Sequence, residues 1–131
     1  MIHRIDVQVT TPLAPTEVRD RVEAAITNLF PGATVREGHG ELIAEAHSME
    51  RFGARLREQN IVDAAREVLR DGIEVDTIAF DLKKQAAFEG VVNFSVGNPD
   101  ELGELHVRVR VAEPDAEAFV EYVAPRSDRE E

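Results

Sequence analysis

Phe80-Asp81-Leu82-Lys83-Lys84-Gln85-Ala86-Ala87-Phe88-Glu89-Gly90-Val91-Val92-Asn93-Phe94 is the stretch whose reading decides the fold. Ile78, Phe80 and Leu82 alternate with Ala79, Asp81 and Lys83, while Phe88, Val92, Phe94 and Val96 share the inward parity of an opposite arm. Residues 76–96 therefore predict a long β-hairpin. Its tip falls on Lys83, Lys84 and Gln85, between Phe80 and Phe88. These are the only two lysines of the chain, so the bend gathers hydrogen-bond donors suited to an anionic or polynucleotide partner.

Outward from this hairpin the pattern keeps changing period. On its C-terminal side, Gly97-Asn98-Pro99 ends the run and an acidic loop follows. Leu105, Val107, Val109 and Val111 then alternate with His106, Arg108 and Arg110, a last strand with one basic face. Pro114 opens a closing helix with Ala116, Phe119, Val120 and Val123 at helical spacing. On the N-terminal side, Ile5, Val7 and Val9 alternate with Arg4, Asp6, Gln8 and Thr10 as a half-buried strand. Pro15 and Glu17 suit the first turn of a helix that runs through Val22, Ile26 and Leu29 to Pro31-Gly32. Residues 33–37 and 41–46 flank Gly38-His39-Gly40 as a short hairpin. Residues 48–72 divide into two helices at Asn60, which is placed to cap the second, with Asp63 three residues on.

Strands and helices mix here without strict βαβ alternation, which favours an α+β fold: a mostly antiparallel sheet with helices packed on one face. The other face is left free for a partner. A chain of 131 residues is long enough for one core, and residues 1–124 read as a single domain followed by a charged tail, 125–131. No stretch resembles a signal peptide or a membrane span. Cysteine is absent, which excludes thiol catalysis, disulfides and Cys-type zinc sites. A cytoplasmic protein is the expectation.

The charge balance carries its own message. Twenty-six acidic groups against 15 basic ones give a formal net charge of −11, and 13 of the basic residues are arginine. We read this as adaptation to a cytoplasm of very high salt, the setting of a halophilic archaeon. Molar salt shortens the Debye length to about 3 Å. The diffuse negative field is then screened, and only groups at the contact matter to a partner such as RNA.

Enzyme signatures are missing: there is no phosphate-binding P-loop, no nucleophile elbow and no H-E-x-x-H pair. Gly38-His39-Gly40 reads as a turn, and His39, Glu41 and His47 as surface groups rather than metal ligands. No cofactor, metal or small-molecule substrate is implied. The basic residues are more informative. Arg51 and Arg55, like Arg66 and Arg70, stand one helical turn apart, and each pair shares a helix face. His106, Arg108 and Arg110 project from one side of a strand at intervals of roughly 6–7 Å, comparable to the phosphate repeat of an extended nucleic-acid strand. For both groups, pairing with neighbouring carboxylates is the competing reading.

Leu82-Lys83-Lys84-Gln85-Ala86-Ala87-Phe88-Glu89-Gly90-Val91-Val92-Asn93-Phe94 resembles the L-x-K-Q-A-A-F-x-G-x-V-N-F signature of the archaeal uncharacterised protein family 0201, described as predicted RNA-binding proteins. Asn28-Leu29-Phe30-Pro31-Gly32, Met49-Glu50-Arg51-Phe52, Leu56-Arg57 and residues 61–73 extend the likeness over nearly the whole chain, the loop 97–103 and the tail excepted. The resemblance implies a fold akin to a large-subunit ribosomal protein that contacts ribosomal RNA, a role in binding RNA, and dimers. Lys84, Gln85, Ala86, Ala87, Phe88, Gly90, Asn93 and Phe94 match by position, with Arg51 in the central region. The expected RNA contacts are Lys83, Lys84, Gln85, Arg51, Arg55, Arg108 and Arg110. The rival expectation is a protein-interaction or structural subunit, either a homodimer or a component of an RNA-processing assembly, without direct RNA contact.

Overall fold

β1 (Arg4–Pro12) follows its alternation: Ile5, Val7 and Val9 are buried while Arg4, Asp6 and Gln8 are exposed. In this computed structural model, which describes residues 3–95 and 103–126, the strand lies near the middle of a six-stranded sheet. The chain continues through α1 (Arg19–Leu29), β2 (Thr34–Glu37), β3 (Glu41–Ala46), α2 (Glu50–Glu58), α3 (Val62–Asp71), β4 (Ile73–Glu74), β5 (Thr77–Lys83), α4 (Lys84–Phe88), β6 (Glu104–Glu113) and α5 (Ala116–Val123). The strand order is β2-β3-β1-β6-β5-β4, and every neighbouring pair is antiparallel. This is a single α+β domain.

β6 alternates as β1 does, with Leu105, Val107, Val109 and Val111 buried and His106, Arg108 and Arg110 exposed. The buried set meets Val22, Ile26 and Leu29 of α1, Phe52 and Leu56 of α2, Leu69 of α3 and Phe119 of α5 in one core. Phe30, Phe52 and Phe80 continue that core as a run of rings, with centroids 5.9 and 5.5 Å apart. Each fully buried side chain of this size stabilises the fold by about 1.5–3 kcal/mol relative to exposure. One sheet face is thereby covered, and the even-numbered residues of β1 and β6 stand on the other.

Three local expectations are corrected. The hairpin of residues 76–96 does not turn at Lys83-Lys84-Gln85. Its arms do pair, through the Leu82–Phe94 bridge, Lys83 N–H to Asn93 O at 2.8 Å and Ser95 N–H to Asp81 O at 2.9 Å. Between them, however, the good helix formers Lys84, Gln85, Ala86 and Ala87 coil into α4. Gly90, at φ +74°, stops that helix: Val91 N–H returns to Ala86 O and Gly90 N–H to Ala87 O, a Schellman closure.

Asn60 likewise closes a helix rather than opening one. It sits at φ 61°, its N–H reaching Arg57 O at 3.1 Å and Ile61 N–H reaching Leu56 O at 3.0 Å. Finally, α1 starts at Arg19 instead of near Pro15. Ala14 and Glu17 form a tight turn, Ala14 N–H donating to Glu17 Oε1 at 2.8 Å, and the Glu17 side chain is drawn inward. Of the expected loop and tail, residues 96–102 and 127–131 lie outside the described residues.

Candidate nucleic-acid interface

Glu17 turns inward to meet Lys84. The Lys84 ammonium donates to Pro12 O at 2.6 Å and lies 3.1 and 3.2 Å from the two Glu17 carboxylate oxygens. The lysine is 0% exposed and the glutamate side chain 8%. The ammonium thus joins α4 to the β1–α1 connection from inside. The expectation that Lys84 contacts RNA is overturned: its ammonium is held by Pro12 O and the Glu17 carboxylate, and no solvent reaches its side chain. The neighbouring lysine is placed differently. Lys83 is the last residue of β5, half-buried, on the same side as Asp81 and Ala79.

The remaining expected contacts divide between two surfaces. Arg108 and Arg110 stand on the open sheet face, together with Lys83. Arg51 and Arg55 belong to α2, which packs on the opposite side. Arg51 is exposed, whereas Arg55 is held by Glu58 at 2.9 Å. Gln85 lies beside Phe88, Val18 and Arg21 in a groove between α1 and α4, and the Arg21 guanidinium already covers the Phe88 ring at 5.8 Å. The competing reading holds for Arg66 and Arg70, which pair with Asp63 at 2.9 Å and with Glu117 at 3.3 Å.

On the open face, register decides what each cation meets. Asp6 and Thr77 flank Arg110, Gln8 and Ala79 flank Arg108, and Thr10 and Asp81 flank His106. Arg110 Nε is 3.5 Å from Asp76 and His106 Nδ1 is 2.8 Å from Asp81. Arg108 has only a neutral amide and a methyl across from it, and forms no ion pair among the described residues. Two shallow depressions meet at Arg108, one containing Asp6, Gln8, His47 and Arg110, the other Thr10, Ala79, Asp81 and His106. The open-face positions of β1, β5 and β6 carry four full cations (Arg4, Lys83, Arg108, Arg110) and four carboxylates (Asp6, Asp81, Glu104, Glu113), an even balance in a chain of net charge −11.

Sequence reasoning missed Asp81 and Glu104 as members of this face. Both have outward parity on their strands, but the pairing of β5 with β6 that brings them together has no local signature. No described helix is long and apolar enough to cross a membrane.

Fold and surface together define a class: an α+β domain with one sheet face covered by helices and the other presenting Arg108, which has no ion pair among the described residues. Residues 6–112 match a family model described as RNA binding. A UPF0201 protein of Metallosphaera sedula is 39% identical over 92% of this chain and 88% of its own length. One from Methanopyrus kandleri is 37% identical over 97% and 87%. Among solved structures, a UPF0201 protein superposes with a TM-score of 0.86 at 32% identity, covering 93% of this chain and 94% of that one. The UPF0201 protein of Methanococcus jannaschii gives 0.83 at 33% identity, covering 95% and 96%. The chain belongs to the archaeal UPF0201 family.

Proposed function

We propose that this protein binds structured RNA through the open face of its sheet, with Arg108 and Arg110 as the principal contacts and Lys83 at the margin. The observation that carries the reading is the Arg108 guanidinium, free of ion pairing among the described residues and placed where two depressions meet. The family model's description as RNA binding supports it. A guanidinium offers a planar fork of donors that meets phosphate oxygens in pairs and stacks on bases. Gln8 and Thr10 supply hydrogen-bonding groups beside it without adding charge. Arg51, Arg55 and Gln85 are separated from this surface by the sheet, and a strand lying on the open face does not need them.

The working environment is a concentrated-salt cytoplasm, where counterion release contributes little to affinity and recognition rests on fit, stacking and hydrogen bonds. Gel-shift titration with a folded RNA in high KCl tests the reading. Arg108→Ala with Arg110→Ala is expected to weaken binding about tenfold or more, each phosphate or base contact being worth about 1 kcal/mol or above. Wild-type affinity in that double variant would refute the assignment.

One observation favours a second reading, association with another protein. Val75 is 91% exposed at φ 60° in the turn joining β4 to β5, beside the two-residue edge strand β4. Edge strands accept partners. Association that survives nuclease and is lost in Val75→Gly would favour it.

A further inference from the structure

The end of the open face nearest Lys83 holds three metal-binding side chains on two strands. Asp81 and His106 are direct cross-strand partners, and Glu104 precedes His106 by two residues on the same side of β6. Each offers one ligand atom, an imidazole nitrogen or a carboxylate oxygen, and these atoms all lie within 4.8 Å of one another. Donors about 2.1 Å from a single ion stand roughly 3–4 Å apart, so the set closes on a cation with small rotations of half-exposed side chains. His106 Nδ1 and Asp81 Oδ1 are now a hydrogen-bonded pair at 2.8 Å, so a slight separation of the two brings both to ligand spacing.

The charges around the cluster point the same way. Among the described residues neither Asp81 nor Glu104 forms an ion pair with lysine or arginine, although Lys83 is the cross-strand partner of Glu104 and Arg108 lies two residues beyond His106. Two half-buried carboxylates side by side repel each other, and a cation held between them relieves that repulsion. Ser95 Oγ contacts Glu104 from outside the set, the position of an outer group that orients a ligand. Asp81 and His106 also line the depression that reaches Arg108, which leaves room for further ligands on the solvent side.

We propose that Asp81, Glu104 and His106 form a binding site for a divalent transition cation of the zinc or manganese class. One imidazole nitrogen with two carboxylate oxygens suits these ions. The remaining coordination positions face the depression, where an anionic oxygen on the cation would also meet Arg108. The site is independent of the RNA reading, and its test contains no RNA.

The full-length protein, stripped with chelator and returned to high KCl at neutral pH, is titrated calorimetrically with Zn2+ alone. One ion per chain is expected, with affinity lowered at least about tenfold in His106→Gln and in Glu104→Gln and unchanged in His47→Ala, the other open-face histidine. Circular dichroism establishes that each variant is folded, and the imidazole proton resonances of the wild type report directly which histidine the ion shifts. Absence of saturable binding, a stoichiometric ion that survives both His106→Gln and Glu104→Gln, or a shift confined to another histidine would each overturn the site.

Discussion

Lys84→Met is the sharpest test of how α4 is anchored. The substitution keeps the length of the side chain and removes the ammonium. Glu17, 8% exposed in its side chain, is left with the Ala14 N–H as its remaining partner, and Pro12 O loses the Lys84 donor. An unpaired buried charge of this kind costs about 3–5 kcal/mol. For a domain of this size that corresponds to a fall in Tm of roughly 10–20 °C. Urea unfolding followed by circular dichroism in high KCl measures it, with an unchanged m-value showing that the loss is one of stability. Adding Glu17→Met should restore most of the loss, because two apolar side chains then replace the pair. A cost below about 1 kcal/mol for Lys84→Met, the range of a surface pair, would refute the reasoning. So would a double variant no more stable than the sum of the singles.

Tyr122 is the only tyrosine and tryptophan is absent, so phenolate absorbance reads one group. Its pKa is raised above 10.0, first by the hydrogen bond it donates to Glu50, 3.0 Å away, and by that carboxylate's charge, then by burial, with Arg57 opposing. A raised folded-state value means that the stabilisation is complete below the ordinary value and is lost as pH climbs through the folded one. Glu50→Gln should bring the midpoint down, and an unmoved midpoint would contradict the assigned cause. Gly72→Ala places a Cβ 2.0 Å from Ala79 O, where backbone must move, and should cost about 2–3 kcal/mol. Gly32→Ala, with nothing within 4 Å, should fall within about 0.5 kcal/mol of wild type; equal effects at the two positions would contradict the packing described.

Period-two alternation located β1, β5 and β6, and with them the face on which Arg108 and Arg110 stand, because each strand is buried on one side only. The helices other than α4 were legible because each is likewise buried on one side only. What escaped the sequence is long-range. Lys84 meets Glu17 and Pro12, 67 and 72 residues away, and no local pattern announces such a partner. One signal was present: after Ile78, Phe80 and Leu82, Lys84 continues the inward parity of the strand β5 that precedes it. α4 was hidden because five helical residues fit between two strand arms whose alternation resumes on the far side. Asp81, Glu104 and His106 share outward parity, but only the β5–β6 register turns that parity into proximity.

The most direct test of the central claim is amide chemical-shift mapping of the isotopically labelled protein against a folded RNA in high KCl. The account predicts that the shifted resonances cluster at Gln8, Thr10, Ala79, Arg108 and Arg110 on the open sheet face. Shifts centred instead on Arg51, Gln85 and the α1–α4 groove, with the open face unmoved, would contradict it.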